Sequence, residues 1–389
     1  MATDISLHLA QRLNGIPPFH VMEILGRAQT LQAQGRDIIH MEVGEPDFPT
    51  PQPIIRAAQS FLEKGQVRYT PALGLPALRE AISNFYASRL GAEINPERII
   101  ITAGASGALL LAIATLTDPG DEWLLTDPGY PCNRQFVQAF NGTVRTLPVE
   151  ASGNFQPTPE QVNATWTPDT KGMMLASPAN PTGTLLSGQE LDALAACVRK
   201  NNGQLILDEI YQGLVYDEEA STVLNRHHDL FVVNSFSKYF GMTGWRLGWL
   251  VVPEHFTRHV EMLAQHLFIA PSTPAQHAAL AAFSDENLSI LETRREAFNL
   301  RRKTLLNGLR TLGFQINSEP AGAFYIYADV SRLCKDSMEL AHRLLEQTGV
   351  ACTPGQDFGQ WRANEHLRLA YTTEESRIAE ALERIRSIL

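Results

Sequence analysis

Residues 234–248 read NSFSKYFGMTGWRLG and lie between two apolar runs, 230–233 and 247–252. Runs of that kind are buried strands, so Ser235, Ser237, Lys238 and Arg246 occupy a glycine-containing loop between two of them. Lysine is seldom drawn inward without a chemical use. A desolvated, neutral amine can form a Schiff base with a carbonyl cofactor. Taken alone, Lys238 reads more simply as a solvated loop residue. The two hydroxyls and the guanidinium beside it shift the balance, because together they suit a phosphate.

Other reactive residue types also stand where apolar runs end. TAGASGALLLA (102–112) has the pattern strand, small-residue turn, helix, which makes Ala105 and Ser106 candidate phosphate donors at a helix N-terminus. A turn kept small for steric reasons explains it equally well. No GK[ST] follows and G-x-S-x-G is incomplete, so it is neither a Walker loop nor a nucleophile elbow. LTDPGYP (125–131) puts Tyr130 on a turn, where it can stack on a planar ring or merely pack. LASPANPTG (175–183) presents Asn180 in a proline-rich turn, with ordinary turn chemistry as the alternative. In QLILDEIY (204–211), Asp208 ends a strand and Tyr211 follows three positions later. The same pattern would serve a Walker B strand, but there is no P-loop to go with it. A buried carboxylate otherwise needs a cation, and a protonated ring nitrogen is one. Arg368 sits inside the apolar strand HLRLAYT (366–372), as a structural ion-pair member or as an anion receptor. His255 and His259 are four apart, yet no HExxH or carboxylate accompanies them, so no metal site is expected.

A scaffold must bring these pieces together. RIIITAG, EWLLTD, TVRTLPV, GMMLAS, QLILDE, LFVVNS and LGWLVV predict seven strands alternating with helical patterns from residue 98 onward. Their near-continuous apolar character predicts an α/β fold with a mostly parallel seven-stranded sheet covered by helices on both faces. Function in such sheets gathers at strand ends. Upstream, the stretch to about residue 13 is helical or loose, and GIPPF (15–19) is a proline-stiffened loop carrying Ile16 and Phe19. Residues 21–34 and 53–64 read as helices stopped by Gly35 and Gly65, and 38–43 as a strand. GEPDFPTP (44–51) is a crossing between domains. Downstream, 286–313 is a long, one-sidedly charged helix. FYIYADV, HLRLAYT and helices over 337–347 and 374–388 complete an α+β end. The expected division is a large cofactor-binding domain, 46–285, and a smaller domain from 1–45 and 286–389.

With 389 residues, 44% hydrophobic and 19% charged, the chain has the composition of a globular protein with more than one core. A net charge of −10 argues against nucleic acid and acidic membranes as main partners. Four dispersed cysteines without CxxC suit reduced thiols in the cytoplasm. The first ten residues lack a signal-peptide core, and no apolar run reaches the ~20 residues of a membrane span.

Read together and in order, these motifs resemble the class I/II aminotransferases, pyridoxal-phosphate enzymes of the aspartate aminotransferase fold. SFSKYFGMTGWRLG resembles the family's lysine signature; NPTG at Asn180, D-x-x-Y from Asp208 to Tyr211, and Arg368 follow in family order. The resemblance implies that Lys238 carries the cofactor as a Schiff base and that Asp208 pairs with its ring nitrogen. It implies that Asn180 and Tyr211 bond the ring's phenolic oxygen and that Tyr130 stacks on the ring, where the best-known aspartate enzymes have tryptophan. Ala105, Ser106, Ser235, Ser237 and Arg246 would bind the phosphate. Tyr69 would reach it from a second subunit, giving a homodimer with shared sites. Arg368, helped by the Gly44 backbone, would take the substrate α-carboxylate under a lid bearing Ile16 and Phe19.

The implied reaction is ping-pong transfer of an amino group from an L-amino acid to a 2-oxo acid, with the freed Lys238 amine moving the proton. The apolar lid leans toward neutral or aromatic donors, acidic ones staying open, with 2-oxoglutarate as acceptor. A lyase on the same cofactor, such as a carbon–sulfur β-lyase, would share every residue named. An ATP-dependent enzyme lacks its Walker A loop, and a non-catalytic, cofactor-sensing regulator lacks an appended DNA-binding domain.

Overall fold

The computed structural model describes residues 10–389. A two-residue strand, β1 (Ile39–His40), stands apart from the main sheet. That sheet is built by β2 (Ile99–Thr102), β3 (Glu122–Asp127), β4 (Thr143–Pro148), β5 (Thr170–Ala176), β6 (Gln204–Asp208), β7 (Phe231–Ser235) and β8 (Gly248–Val251). Their order is β2-β8-β7-β6-β5-β3-β4, and only β8 runs antiparallel to its neighbours. Successive side chains on a strand face opposite ways. Leu205, Leu207 and Val232 therefore join one core, while Ile206, Phe231 and Val233 join the other. Burial on both faces is why strands such as β2, β7 and β8 read as largely apolar runs; the edge strand β4 is exposed at alternate positions.

Beyond the sheet come β9 (Tyr325–Asp329), β10 (Val350–Ala351), β11 (Thr353–Pro354) and β12 (His366–Ala370). β12 lies between β11 and β9, antiparallel to both, and β10 pairs in parallel with β1 through Ile39↔Val350. A segment near the start of the chain is thus stitched to one near its end. Between them runs the long helix Asp285–Thr311, capped by the Ser284 side chain, which accepts from Asn287 N at 3.3 Å. Its Arg301 pairs with Asp47 at 2.8 Å in the crossing segment.

Two expectations need adjusting. The strand expected over 38–43 keeps ladder geometry only at β1. From Glu42 onward, side chains take the carbonyls: Thr353 Oγ1 donates to Glu42 O at 2.9 Å and Thr372 Oγ1 to Val43 O at 3.4 Å. The helix expected over 337–347 is α-helical only across Ser337–Arg343 and continues as a π-helical turn, Leu344–Thr348. It stops at Gly349, φ +72°, where a Cβ would lie 2.6 Å from Asp37 O. Residues 1–9 of the expected N-terminal helix or loose stretch lie outside the described residues; Gln11–Gly15 form a short 3-10 helix. Among the described residues no helix is long and apolar enough to cross a membrane.

Candidate active site

The C-terminal ends of β3, β5, β6 and β7, with the turn after β2, surround one cavity of about 240 Å³, a size that holds a small organic molecule rather than a few waters. At its floor the helix Gly104–Leu116 begins without a side-chain cap, which leaves first-turn N–H groups for a ligand. Ala105 and Ser106 line the cavity there, opposite Ser237, Thr243 and Arg246. Gly104 has φ +69°, and a Cβ on it would lie 2.8 Å from Arg246 Nη2. A Cβ on Gly248 would lie 2.9 Å from Ala105 N. Both glycines are needed for the loops to close on one another. Ser235 is placed differently from Ser237. It is buried outside the lining, donating to Leu247 O at 3.1 Å and lying 3.0 Å from Ser237 Oγ, as a brace for the loop.

Lys238 and Asp208 both face this cavity. Lys238 Nζ donates to Gly44 O at 2.6 Å and has no carboxylate partner among the described residues. Burial lowers its pKa to about 8; Arg368 and Arg246 push the same way, while Glu45 and Asp208 oppose. Burial pushes Asp208 up to about 6, against the Ile210 N–H, which donates to Oδ1 at 2.9 Å, and the charge of Lys238. A carboxylate with a single backbone donor is short of a cation in such a place.

Arg368 reaches the opposite wall from the middle of β12. Its guanidinium lies 4.4 Å from the Tyr325 ring centre and 4.7 Å from that of Phe358, donates to Asn180 Oδ1 at 3.0 Å and reaches Glu42 O. Its Nε is buried with no partner among the described residues. This is the geometry of an anion receptor, not of a structural ion pair. Tyr211 and Tyr325 share a hydroxyl–hydroxyl bond of 2.7 Å, and burial pushes both phenols up. Tyr130 also faces the cavity, its hydroxyl raised by burial.

Two further expected residues, Ile16 and Tyr69, lie outside this chain's cavity lining. Phe19 lines the cavity, whereas Ile16, 49% exposed, lines only an adjoining one. Tyr69 is 82% exposed on the outside of this chain. Tyr325, Phe358 and Thr243 were not singled out from sequence. Tyr325 carried a usable signal: β9 is aromatic at alternate positions and pairs with the strand bearing Arg368.

These donors fit pyridoxal phosphate. An uncapped helix N-terminus, three hydroxyls and Arg246 suit its phosphate; among the described residues Asp208 has no ion-paired cation, a place its ring nitrogen can fill, and Lys238 is an amine with no ion-paired acid.

Comparison with known proteins agrees. The family "Aminotransferase class I and II" matches residues 36–385. The valine–pyruvate aminotransferase of Mycobacterium tuberculosis is 40% identical over 96% of this chain and 97% of its own. The aspartate/prephenate aminotransferase of Thermus thermophilus is 36% identical, with 98% of each chain covered. Among solved structures, an aminotransferase from Mycobacterium tuberculosis superposes with a TM-score of 0.95 at 39% identity, covering 98% of this chain and 99% of that one. The aspartate aminotransferase from Thermus thermophilus with maleate gives 0.91 at 35%, covering 98% and 100%. The chain belongs to the class I and II aminotransferases. It is a pyridoxal-phosphate-dependent enzyme that transfers amino groups.

Proposed function

We propose that this enzyme moves the amino group of a neutral, aromatic or acidic L-amino acid to 2-oxoglutarate by a ping-pong mechanism, with Lys238 as the cofactor-bearing and proton-moving residue. The observation that carries this reading is the sharing of one cavity by Lys238, Asp208 and Arg368, with no carboxylate among the described residues hydrogen-bonded to the lysine amine. The named relatives act on valine with pyruvate and on aspartate or prephenate, and the Thermus structure holds a dicarboxylate. Neutral and acidic donors both fall within that range.

Bound pyridoxal phosphate supplies an aldehyde for the amino group and a ring that withdraws electrons. Ala105, Ser106, Ser237, Thr243 and Arg246 hold its phosphate, and Ser235 supports them. Asp208 keeps the ring nitrogen protonated. Tyr130 covers a ring face, while Asn180 and Tyr211 hold the phenolic oxygen. Arg368 and Asn180 fix the substrate carboxylate beside Gly44, and Phe19 and Ile16 screen the entrance from water. Lys238, with a pKa lowered to about 8, has a free amine for part of its population near neutrality and takes the proton from the substrate α-carbon.

The same reading has residues 46–285 as the cofactor domain and 1–45 with 286–389 as the smaller one, for which the β1–β10 pairing speaks. It has Tyr69 completing the site of a second subunit, for which its exposure speaks. The four free cysteines suit the cytoplasm.

Incubation with one amino acid and no acceptor tests the reaction type. An aminotransferase releases one equivalent of 2-oxo acid per site and stops. Continued turnover with ammonia release would instead identify a lyase.

A further inference from the structure

Two tyrosines of the cavity wall meet at their hydroxyls. Tyr325 and Tyr211 both line the cavity, both are buried, and their hydroxyl oxygens lie 2.7 Å apart. Burial pushes both phenols up, so each keeps its proton and there are two protons to place. One lies in the contact itself. Among the described residues neither hydroxyl has another hydrogen-bond partner, so the second proton is open to a molecule in the cavity. The roles proposed above use Tyr211 and leave Tyr325 without one.

The surroundings decide which of the two donates. The Gly44 main chain closes on Tyr325, where a Cβ would lie 1.9 Å from Oη and 2.9 Å from Cζ. The rings of Phe324 and Tyr211 pack edge-on against it, with centres 4.9 and 5.6 Å away. Hemmed in this way, the Tyr325 hydroxyl has Tyr211 as its acceptor. Sheet register fixes the ring from the other side. In the β9–β12 ladder Tyr325 stands opposite Ala370 and Tyr327 opposite Arg368, which makes Arg368 the diagonal neighbour of Tyr325 on one face. Ala370 is small enough for the guanidinium to reach across, and it lies 4.4 Å from the Tyr325 ring centre.

We infer that Tyr325 is a positioning residue for the reaction and acts through two others: its hydroxyl donates to Tyr211 Oη and so aims the Tyr211 proton at the cofactor's phenolic oxygen, while its ring supports the Arg368 guanidinium that takes the substrate carboxylate. The inference rests on the roles proposed above for Tyr211 and Arg368. A hydroxyl that accepts a hydrogen bond becomes a better donor. Without Tyr325, the Tyr211 hydroxyl is free to turn its proton elsewhere. The oxygen of one side chain thus serves the cofactor and its ring serves the substrate, and substitution can separate the two.

The test compares the cofactor-loaded wild type with Tyr325→Phe, Tyr325→Leu, Tyr211→Phe and the double variant Tyr211→Phe/Tyr325→Phe. Two quantities are read: the pH midpoint at which the bound cofactor's absorbance changes, and KM for valine or aspartate, whichever the wild type accepts. A donor to the phenolic oxygen favours that oxygen's charged form, so its loss moves the midpoint up. Tyr211→Phe should raise it by about one pH unit, the worth of one hydrogen bond to a charged group. Tyr325→Phe should raise it by about 0.3 unit, the share that one bond lends its neighbour. The double variant shifts no further than Tyr211→Phe, because Tyr325 acts through Tyr211. Tyr325→Phe keeps KM within about twofold, since the ring remains, and Tyr325→Leu raises it about fivefold or more. A Tyr325→Phe midpoint equal to the wild type's, with Tyr211→Phe shifted, overturns the inference and leaves the role of Tyr211 intact. No shift in either overturns both. A double variant whose shift is the sum of the singles overturns the relay, and equal KM values in the Phe and Leu variants overturn the ring's part. If neither amino acid reacts, the reaction reading fails, while the midpoints still decide what the Tyr325 hydroxyl does.

Discussion

Lys238 Nζ rests on the main-chain carbonyl of Gly44, 2.6 Å away, and Arg368 reaches the carbonyl of Glu42 two residues earlier. One short segment therefore touches both the amine proposed to do the chemistry and the guanidinium proposed to hold the substrate. Its geometry is guarded by size. A Cβ on Gly44 would fall 1.9 Å from Tyr325 Oη, so any side chain there displaces the tyrosine that bonds Tyr211.

Removing the guanidinium separates substrate from cofactor binding. Arg368→Leu is expected to raise KM for amino acids about 100-fold, because a buried charge partner is lost. Cofactor affinity, measured by equilibrium dialysis, stays near that of the wild type. Equal losses in both would mean that Arg368 holds the site's architecture instead.

Asp208 gives a prediction about stability with a definite sign. Its folded pKa is raised from 3.8 to about 6, so between those values the folded chain binds the proton more tightly than the unfolded one. The cofactor-free protein therefore loses stability as pH rises through that window, and the full penalty remains above it. Asp208→Asn cannot ionise. It should stabilise the cofactor-free chain at pH 7 by up to about 3 kcal/mol, flatten that pH slope and remove activity. Urea unfolding from pH 4 to 8 checks this; an Asn variant less stable at pH 7 would contradict it.

Strands such as Ile99–Thr102 and Phe231–Ser235 were legible because burial on both faces leaves few polar positions to break the runs, whereas the edge strand Thr143–Pro148 alternates exposed with partly buried residues. The turn residues at their ends were legible for the same reason: Lys238, Asp208 and Asn180 are polar types stranded beside apolar ones. Tyr325 and Phe358 were not, since an aromatic inside an apolar stretch looks the same whether it packs a core or flanks a guanidinium. Ser235 ends β7 and Ser237 follows it by two positions, yet one points into the protein and the other lines the cavity. Loop backbone decides that, and composition does not report it.

Cofactor affinity should depend on Arg246 more than on Ser235. Arg246→Gln is expected to weaken pyridoxal phosphate binding about tenfold or more, by loss of a charged donor to its phosphate. Ser235→Ala acts on the loop and should have the smaller effect. The reverse order, read by dialysis, would place the phosphate elsewhere.

If Tyr69 completes the partner's site, complementation follows. Lys238→Ala and Tyr69→Ala subunits, each impaired as homodimers, should regain activity on mixing, because one site of each mixed dimer is intact. Random reassortment makes about a quarter of all sites whole. Activity that stays at the mean of the two homodimers would show that Tyr69 serves no neighbouring site.

Everything proposed for the reaction depends on which amine holds the cofactor. Borohydride reduction of the cofactor-loaded protein, followed by peptide mass mapping, answers this directly. The account predicts one phosphopyridoxyl group per chain on Lys238 and none in Lys238→Ala. A label on another lysine, or reduction that leaves the protein unmodified, would contradict it.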